Sequence, residues 1–339
     1  MQPIQHVFTQ LKDAKKIVIT THQKPDGDAM GSSLAMFHFL SSLGHDVKVI
    51  SPTNWASFLS WMPGSNKALD YERNTEVANS LIEQADWIFC LDFNILSRTK
   101  NMENVLLQSN AVKILIDHHQ QPQVEVFQYG VSDTSKSSTA EMVFDFIVGS
   151  GFDHLIDENI AQCLYAGVMT DTGSFRFPST SSDVHQMVAH LMKRGLKHSI
   201  VHENLFDNFS ENRLRFIGNT LLNRMEVFYE YNTALIAIPQ QDLIKFDIKT
   251  GDTEGLVNYS LSIEGIKLAA IIIDRGEERK CSFRSKGDFD VNTFARTYFN
   301  GGGHYNAAGG FSVEPLDAVV AKFKSAMAEN KEQLSSYQF

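Results

Sequence analysis

Cysteine is scarce in this chain of 339 residues: there are three. Cys90, Cys163 and Cys281 lie too far apart for a CxxC metal site or a disulfide framework, so each reads as a small buried hydrophobe. A reducing cytoplasm is the expected compartment. An unbroken run of about 18 apolar residues is also missing, which excludes a membrane-spanning helix. The start, Met1-Gln2-Pro3-Ile4-Gln5-His6, lacks the basic-then-apolar pattern of a secretory signal, and none is expected. Positive charge is in short supply: 30 Lys and Arg stand against 40 Asp and Glu, a net charge of −10. A protein that tracks long nucleic acid usually presents a basic surface. Any nucleotide ligand should therefore be small, with its cationic partners local. Internal repeats and low-complexity stretches are absent as well.

What is present is apolar material, 43% of residues, enough for a large core. The length suggests two domains. The chain is organised around Thr21-His22-Gln23-Lys24-Pro25-Asp26-Gly27-Asp28. A β-branched run, Lys16 to Thr20, precedes this stretch, and a helical pattern from Leu34 to Leu40 follows it. It is therefore a strand-to-helix loop, where open α/β sheets place ligands. Asp26 and Asp28 flank a glycine, and two carboxylates so close repel unless a positive charge lies between them. A divalent metal with His22 as nitrogen ligand would supply it. The plainer alternative is a helix N-cap.

Strands are expected at 16–20, 46–50, 87–91 and 111–116, alternating with helical stretches, which predicts a parallel sheet covered on both faces. Residues 1–15 read as a helix with Val7, Leu11 and Ala14 on one face. Gly44 should stop the second helix. Ser137-Ser138-Thr139-Ala140-Glu141 resembles a capping box. A helix over 159–169 leads into Thr170-Asp171-Thr172-Gly173, read as a loop. Residues 181–228 read as two or three helices without strands. Strands then return at 233–238, 266–273 and 280–284, followed by helices near 291–298 and 315–334. The expected fold class is α/β: residues 1–180 a parallel-sheet domain, 181–228 a helical linker region, and 229–339 a smaller α/β domain with a mixed sheet.

Asp92 and Asp117-His118-His119 each lie at the exit of an expected parallel strand, as does the His22 loop. Such exits share one sheet edge. With Asp171, five carboxylates and three imidazoles converge, and nothing nearby in sequence supplies enough Lys or Arg to neutralise them. Two divalent cations would, and they suit phosphate ester hydrolysis. Any one of these residues alone reads as a turn, cap or surface residue; the conjunction at four exits does not.

These motifs, His-x-x-x-Asp-x-Asp, a lone Asp after a strand, Asp-His-His, and Asp in Thr-Asp-Thr-Gly, resemble the DHH phosphoesterase superfamily. Gly301-Gly302-Gly303-His304-Tyr305-Asn306-Ala307-Ala308-Gly309-Gly310 resembles the glycine-rich motif of its DHH-associated domain. Together they span His22 to Gly310. The likeness is greatest to the nanoRNase/pAp phosphatase group, which degrades very short RNA and dephosphorylates 3′-phosphoadenosine 5′-phosphate (pAp). The resemblance implies a metal-dependent phosphoesterase using two manganese ions, with magnesium or another divalent ion as alternatives. His22 and Asp26 would bind the first ion, Asp28, His118 and Asp171 the second, and Asp92 would bridge both. Asp117 would orient the imidazoles and His119 would contact the scissile phosphate. Arg284, Ser285, Gly302, Gly303 and His304 would hold substrate phosphate, the active site lying in a cleft between the domains. The glycine run also reads as an anion nest and Arg284 as a phosphate fork. Asn300 replaces a glycine common in relatives, with little expected effect.

The implied partners are short RNA oligonucleotides and pAp, without membrane or long nucleic acid. A homodimer is allowed by the family's habits, with no interface legible in the sequence. Other readings share the motifs: hydrolysis of linear or cyclic dinucleotide signals, a family II pyrophosphatase, a RecJ-type exonuclease, or a silent nucleotide-binding module. The glycine-rich His304 motif argues against the pyrophosphatase. Net acidity argues against the exonuclease, and the complete ligand set argues against the silent module.

Overall fold

The computed structural model describes residues 1–335, so the last four residues of the expected 229–339 domain lie outside the described residues. The chain divides into two compact units, Met1–Asn208 and Phe209 onward. Of the three helices in the 181–228 stretch, Ser182–Lys193 and His198–Phe206 belong to the first unit and Glu211–Asn223 to the second.

The first unit is built on seven strands: β1 (Gln2–Pro3), β2 (Lys16–Thr20), β3 (Asp46–Ser51), β4 (Leu69–Asp70), β5 (Trp87–Leu91), β6 (Val112–Asp117) and β7 (Tyr129–Ser132). All pair in parallel, in the order β1-β7-β6-β5-β2-β3-β4. Both faces are covered, as side-chain alternation shows. Ile17, Ile19, Phe89, Leu91, Ile114 and Ile116 enter one core, and Val18, Ile88, Cys90 and Leu115 the other. The order reverses between β2 and β5, so the loops leaving these neighbours diverge and open a crevice at their carboxyl ends.

The helix Gly27–Ser42 begins at Asp26, whose Oδ1 accepts from the N–H groups of Asp28 and Ala29 at 3.1 Å each. It stops at Leu43, with Gly44 left-handed at φ 90° just beyond, as expected. This helix packs on Glu158–Asp171 through two glycines. A Cβ on Gly31 would lie 2.5 Å from the Cys163 carbonyl oxygen, and one on Gly167 would lie 2.9 Å from Asp28 Oδ1. The contact brings Asp28 beside the helix that ends in Asp171.

The second unit has a mixed sheet, β12-β13-β11-β10-β9-β8, built from β8 (Met225–Phe228), β9 (Thr233–Ile238), β10 (Leu268–Asp274), β11 (Arg279–Ser285), β12 (Gly302–His304) and β13 (Ala307–Ser312). Among the described residues of this sheet only β9 and β10 pair in parallel. Leu268, Ala270 and Ile272 face one core, and Ala269, Ile271 and Ile273 the other.

Several expectations are corrected. Residues 1–15 hold one short helix, Gln5–Phe8, behind the strand β1. Val7 and Leu11 are buried nonetheless, while Ala14 is exposed. The 181–228 stretch ends in the strand β8, against the expectation of helices alone. Asp171 is the last residue of its helix rather than a loop residue. The final helix breaks into Leu316–Glu329 and Lys331–Ser335. Among the described residues no helix is long and apolar enough to cross a membrane. The three cysteines are buried, and burial pushes the Cys90 thiol up to about 12.

Candidate metal and phosphoesterase site

In the first unit the strand exits converge. The loop after β2 brings His22 and Asp26, and the helix start brings Asp28. Asp92 follows β5, Asp117 ends β6, and His118 and His119 follow it. Three ligand-capable groups form here, each with its donor atoms within 4.8 Å of one another: His22, Asp26 and Asp92; Asp28, Asp92 and His118; and Asp92, Asp117 and His119. Asp92 is common to all. Asp171 lies next to the second group, its Oδ2 being 3.5 Å from His118 Nε2.

The imidazoles are aimed by their other nitrogens. His22 Nδ1 lies 2.8 Å from the Gln23 carbonyl oxygen, which can only accept, so Nδ1 carries the proton. Its Nε2 then points to Asp92 Oδ2 at 3.4 Å and Asp26 Oδ1 at 3.9 Å. His118 Nδ1 donates to the Lys136 carbonyl at 3.3 Å. Its Nε2 lies 3.5 Å from Asp92 Oδ1 and 3.8 Å from Asp28 Oδ2. A carbonyl partner behind a ligating imidazole is the usual arrangement at metal sites. His119 Nδ1 donates instead to Asp117 Oδ1 at 2.7 Å. Asp117 thus holds the His119 ring, and the Lys136 carbonyl holds that of His118.

Asp28, Asp92 and Asp117 are at most 2% exposed. Burial, with repulsion from Asp92 and Asp171, raises the Asp28 carboxyl well above the usual range. Burial also opposes charge on Asp92, but His118 and His22 hold its carboxyl well below that range. Burial opposes charge on His118 too, and the surrounding Asp92, Asp171 and Asp28 outweigh it and raise its pKa. Asp92 occupies the left-handed region at φ 67°, uncommon for a residue with a Cβ and frequent where function holds the backbone under strain.

The donor set fits divalent metal. It combines imidazole nitrogen with carboxylate oxygen, a mixture suited to a transition ion such as manganese. Crowded buried carboxylates need a positive charge among them, and Asp117 Oδ2 is buried without a hydrogen-bond partner. Asp26 caps its helix and also stands in a ligand-capable group.

In the second unit, Arg284 and Ser285 end β11. Arg284 Nη1 donates to the Phe283 carbonyl at 2.9 Å. Ser285 Oγ donates to the Phe289 carbonyl at 2.6 Å and accepts from Asn306 Nδ2 at 2.8 Å. The glycine run is not an anion nest. The Gly301 N–H goes to the Ala295 carbonyl and the Gly303 N–H to Asn292 Oδ1, while Gly302–His304 is strand. These glycines serve close strand approach, since a Cβ on Gly301 would fall 1.9 Å from the Gly309 carbonyl oxygen. Asn300 sits at φ 46°, a conformation glycine adopts freely and Asn tolerates, which explains the exchange.

Sequence reasoning missed Thr139, which donates to both Asp28 and Asp92, and the Gln23 and Lys136 carbonyls. It also missed Arg98, whose charge acts on His22 against protonation. The Ser-Ser-Thr-Ala signal was visible but carried only a capping meaning.

Comparison with known proteins agrees with this geometry. The DHH family N-terminal domain matches residues 16–168 and the DHHA1 domain residues 231–329. Bifunctional oligoribonuclease and PAP phosphatase NrnA of Bacillus subtilis (strain 168) is 26% identical over 321 residues, covering 93% of this chain and 96% of that protein. The protein of the same name from Thermus thermophilus is 29% identical over 293 residues, covering 86% and 83%. The crystal structure of an exopolyphosphatase-related protein from Bacteroides fragilis is 40% identical, with a TM-score of 0.93 and coverage of 98% and 97%. With both domains matched in order and this relative aligned almost end to end, the chain belongs to the DHH family and is a phosphoesterase of that family.

Proposed function

We propose that the protein hydrolyses short RNA oligonucleotides to nucleoside 5′-monophosphates and removes the 3′-phosphate of pAp to give AMP, with two manganese ions. The observation that carries this is the sharing of Asp92 between the His22–Asp26 group and the Asp28–His118 group. The names of the two NrnA relatives support the substrate pair.

Divalent ions bound at such groups lower the pKa of a water and neutralise charge on phosphoryl oxygens. The chain's residues do the rest. His22, Asp26, Asp28, His118 and Asp171 would supply donors to the ions, and Asp92 would be common to the two groups. His119, with Nδ1–H committed to Asp117, offers Nε2 to the phosphate undergoing attack. Arg284, always charged, and His304, which flank Ala307 in the sheet, are the second unit's candidates for a substrate phosphate, with Gly302 two residues before His304 on the same strand. Ser285 and Gly303, their hydrogen bonds spent within the sheet and its loops, keep that strip in shape.

The test is kcat/KM with manganese across pAp, di- to pentanucleotides, cyclic dinucleotides, pyrophosphate and an RNA of about 24 residues, the last expected to gain little counterion release from a net-acidic protein. The expected order puts pAp and the shortest oligonucleotides first. Preference for a cyclic dinucleotide, pyrophosphate or the long RNA would overturn the reading.

A further inference from the structure

Thr139 opens the helix Thr139–Gly149, directly after its cap Ser138. Its N–H donates to Asp28 Oδ2 at 2.6 Å, and the Ala140 N–H donates to Asp28 Oδ1 at 2.8 Å. Its hydroxyl donates to Asp92 Oδ1 at 2.9 Å. Thr139 is wholly buried. One residue thus grips two neighbouring carboxyl groups, one through its N–H and the other through its hydroxyl.

The consequence falls on Asp92. A carboxylate on a short side chain rotates about two bonds, and nothing in its chemistry distinguishes its oxygens. Here they are distinguished. Oδ2 lies 3.4 Å from His22 Nε2, and Oδ1 lies 3.5 Å from His118 Nε2. The hydroxyl bond to Oδ1 fixes one end of the carboxylate beside the two imidazoles. Without it, both oxygens could swing toward one imidazole, and the other group would lose its third donor. Asp28 is less exposed to this fault, because two backbone N–H groups hold both of its oxygens.

We propose that Thr139 is a positioning residue whose hydroxyl sets the rotation of the Asp92 carboxylate, so that the His22–Asp26 group and the Asp28–His118 group receive one oxygen each. This rests on the two-metal reading above.

The test compares Thr139→Val, Thr139→Ala and Thr139→Ser with wild type, full length, by manganese titration calorimetry and manganese EPR. Both hydroxyl-free variants keep the N–H donor to Asp28, and Val keeps the side-chain shape. The expected result is a loss of about tenfold or more in affinity for at least one ion in the Val and Ala variants, the scale of losing a partner behind a metal ligand. The EPR signature of a coupled manganese pair should fade with it. The Ser variant should bind like wild type. Thermal melting without metal identifies which variants fold, and the smaller Ala variant serves if Val does not. A purely structural role would shift melting without separating Ser from Val. A folded hydroxyl-free variant that binds both ions as wild type does would overturn the proposal, as would a Ser variant that behaves like Val. A wild type that binds no manganese would instead strike down the two-metal reading, and this proposal with it.

Discussion

Asp117 Oδ1 accepts a hydrogen bond from His119 Nδ1 at 2.7 Å, whereas His118, the adjacent residue, turns its Nδ1 to the Lys136 carbonyl. Two neighbouring imidazoles are thereby given different partners and, on the proposed reading, different tasks. His119→Ala should lower kcat while manganese stoichiometry stays at the wild-type value. His118→Ala should lose one ion. Asp117→Asn should keep the metal and lower kcat by roughly 10–100-fold, as loss of an orienting partner does. Metal counting on the three purified variants decides the matter, and equal metal loss from His118→Ala and His119→Ala would refute the division of roles.

Asp92 stands in every ligand group of the first unit. Asp92→Asn should therefore abolish hydrolysis by removing charge from both ion positions at once, while far-ultraviolet circular dichroism stays unchanged. The variant should be assayed in excess manganese, where weak binding alone is overcome. Retention of more than about a tenth of wild-type kcat would contradict the shared role.

Chelation should silence the enzyme and manganese should restore it better than magnesium, because imidazole donors favour the transition ion. Binding to the folded state alone also stabilises it, by about 2.7 kcal/mol when the ion is at a hundred times its Kd. A melting curve should rise accordingly on adding manganese after exhaustive dialysis against chelator. Unchanged activity after that dialysis would be fatal to metal dependence.

Gly167 is a structural residue with a functional consequence. A Cβ there would meet the Ala140 Cβ at 2.6 Å and Asp28 Oδ1 at 2.9 Å. Gly167→Ala should cost about 1–3 kcal/mol by overpacking and should also weaken manganese binding by displacing the Asp28 carboxylate. Gly151→Ala is the comparison: it has open space around it and a left-handed φ of 82°, so it should lose stability without touching metal affinity. If Gly167→Ala were destabilised yet bound manganese normally, the crossing would be irrelevant to the site.

The parts of this site that the sequence displayed are those that short-range patterning controls. Ile17, Val18 and Ile19 form a strand because β-branched side chains suit a pleated sheet, and a polar loop with His22 must then follow it at the sheet edge. Trp87–Leu91 and the run ending in Asp117 obey the same rule. The rest depends on contacts that no local pattern encodes. Thr139 meets Asp28 across 111 residues and Asp92 across 47. Strand β1 is two residues long, too short for any alternation, and exists by pairing with β7. Thr-Asp-Thr-Gly has the composition of a loop, yet the Thr172 N–H still bonds the Val168 carbonyl at 3.0 Å, which keeps Asp171 within the helix.

Arg284 offers a test that separates substrate binding from metal binding. It lies on β11 of the second unit, and every ligand group named above is confined to the first. Its guanidinium keeps its charge at any working pH, and a planar fork suits phosphate. Arg284→Ala should weaken dinucleotide and pAp binding by about 1.5–3 kcal/mol, the worth of a hydrogen bond to a charged group. Manganese affinity should remain at its wild-type value, since no donor atom is removed. Because the loss concerns binding in ground and transition states alike, it should appear as a raised KM with kcat little changed. Arg284→Lys should recover only part of it, because an ammonium restores the charge without the fork. The measurements are KM and kcat on a dinucleotide and on pAp, beside a manganese titration of the same preparations. Equal losses in manganese affinity and in KM would show that Arg284 acts through the metal centre, and its assignment to substrate phosphate would have to be withdrawn.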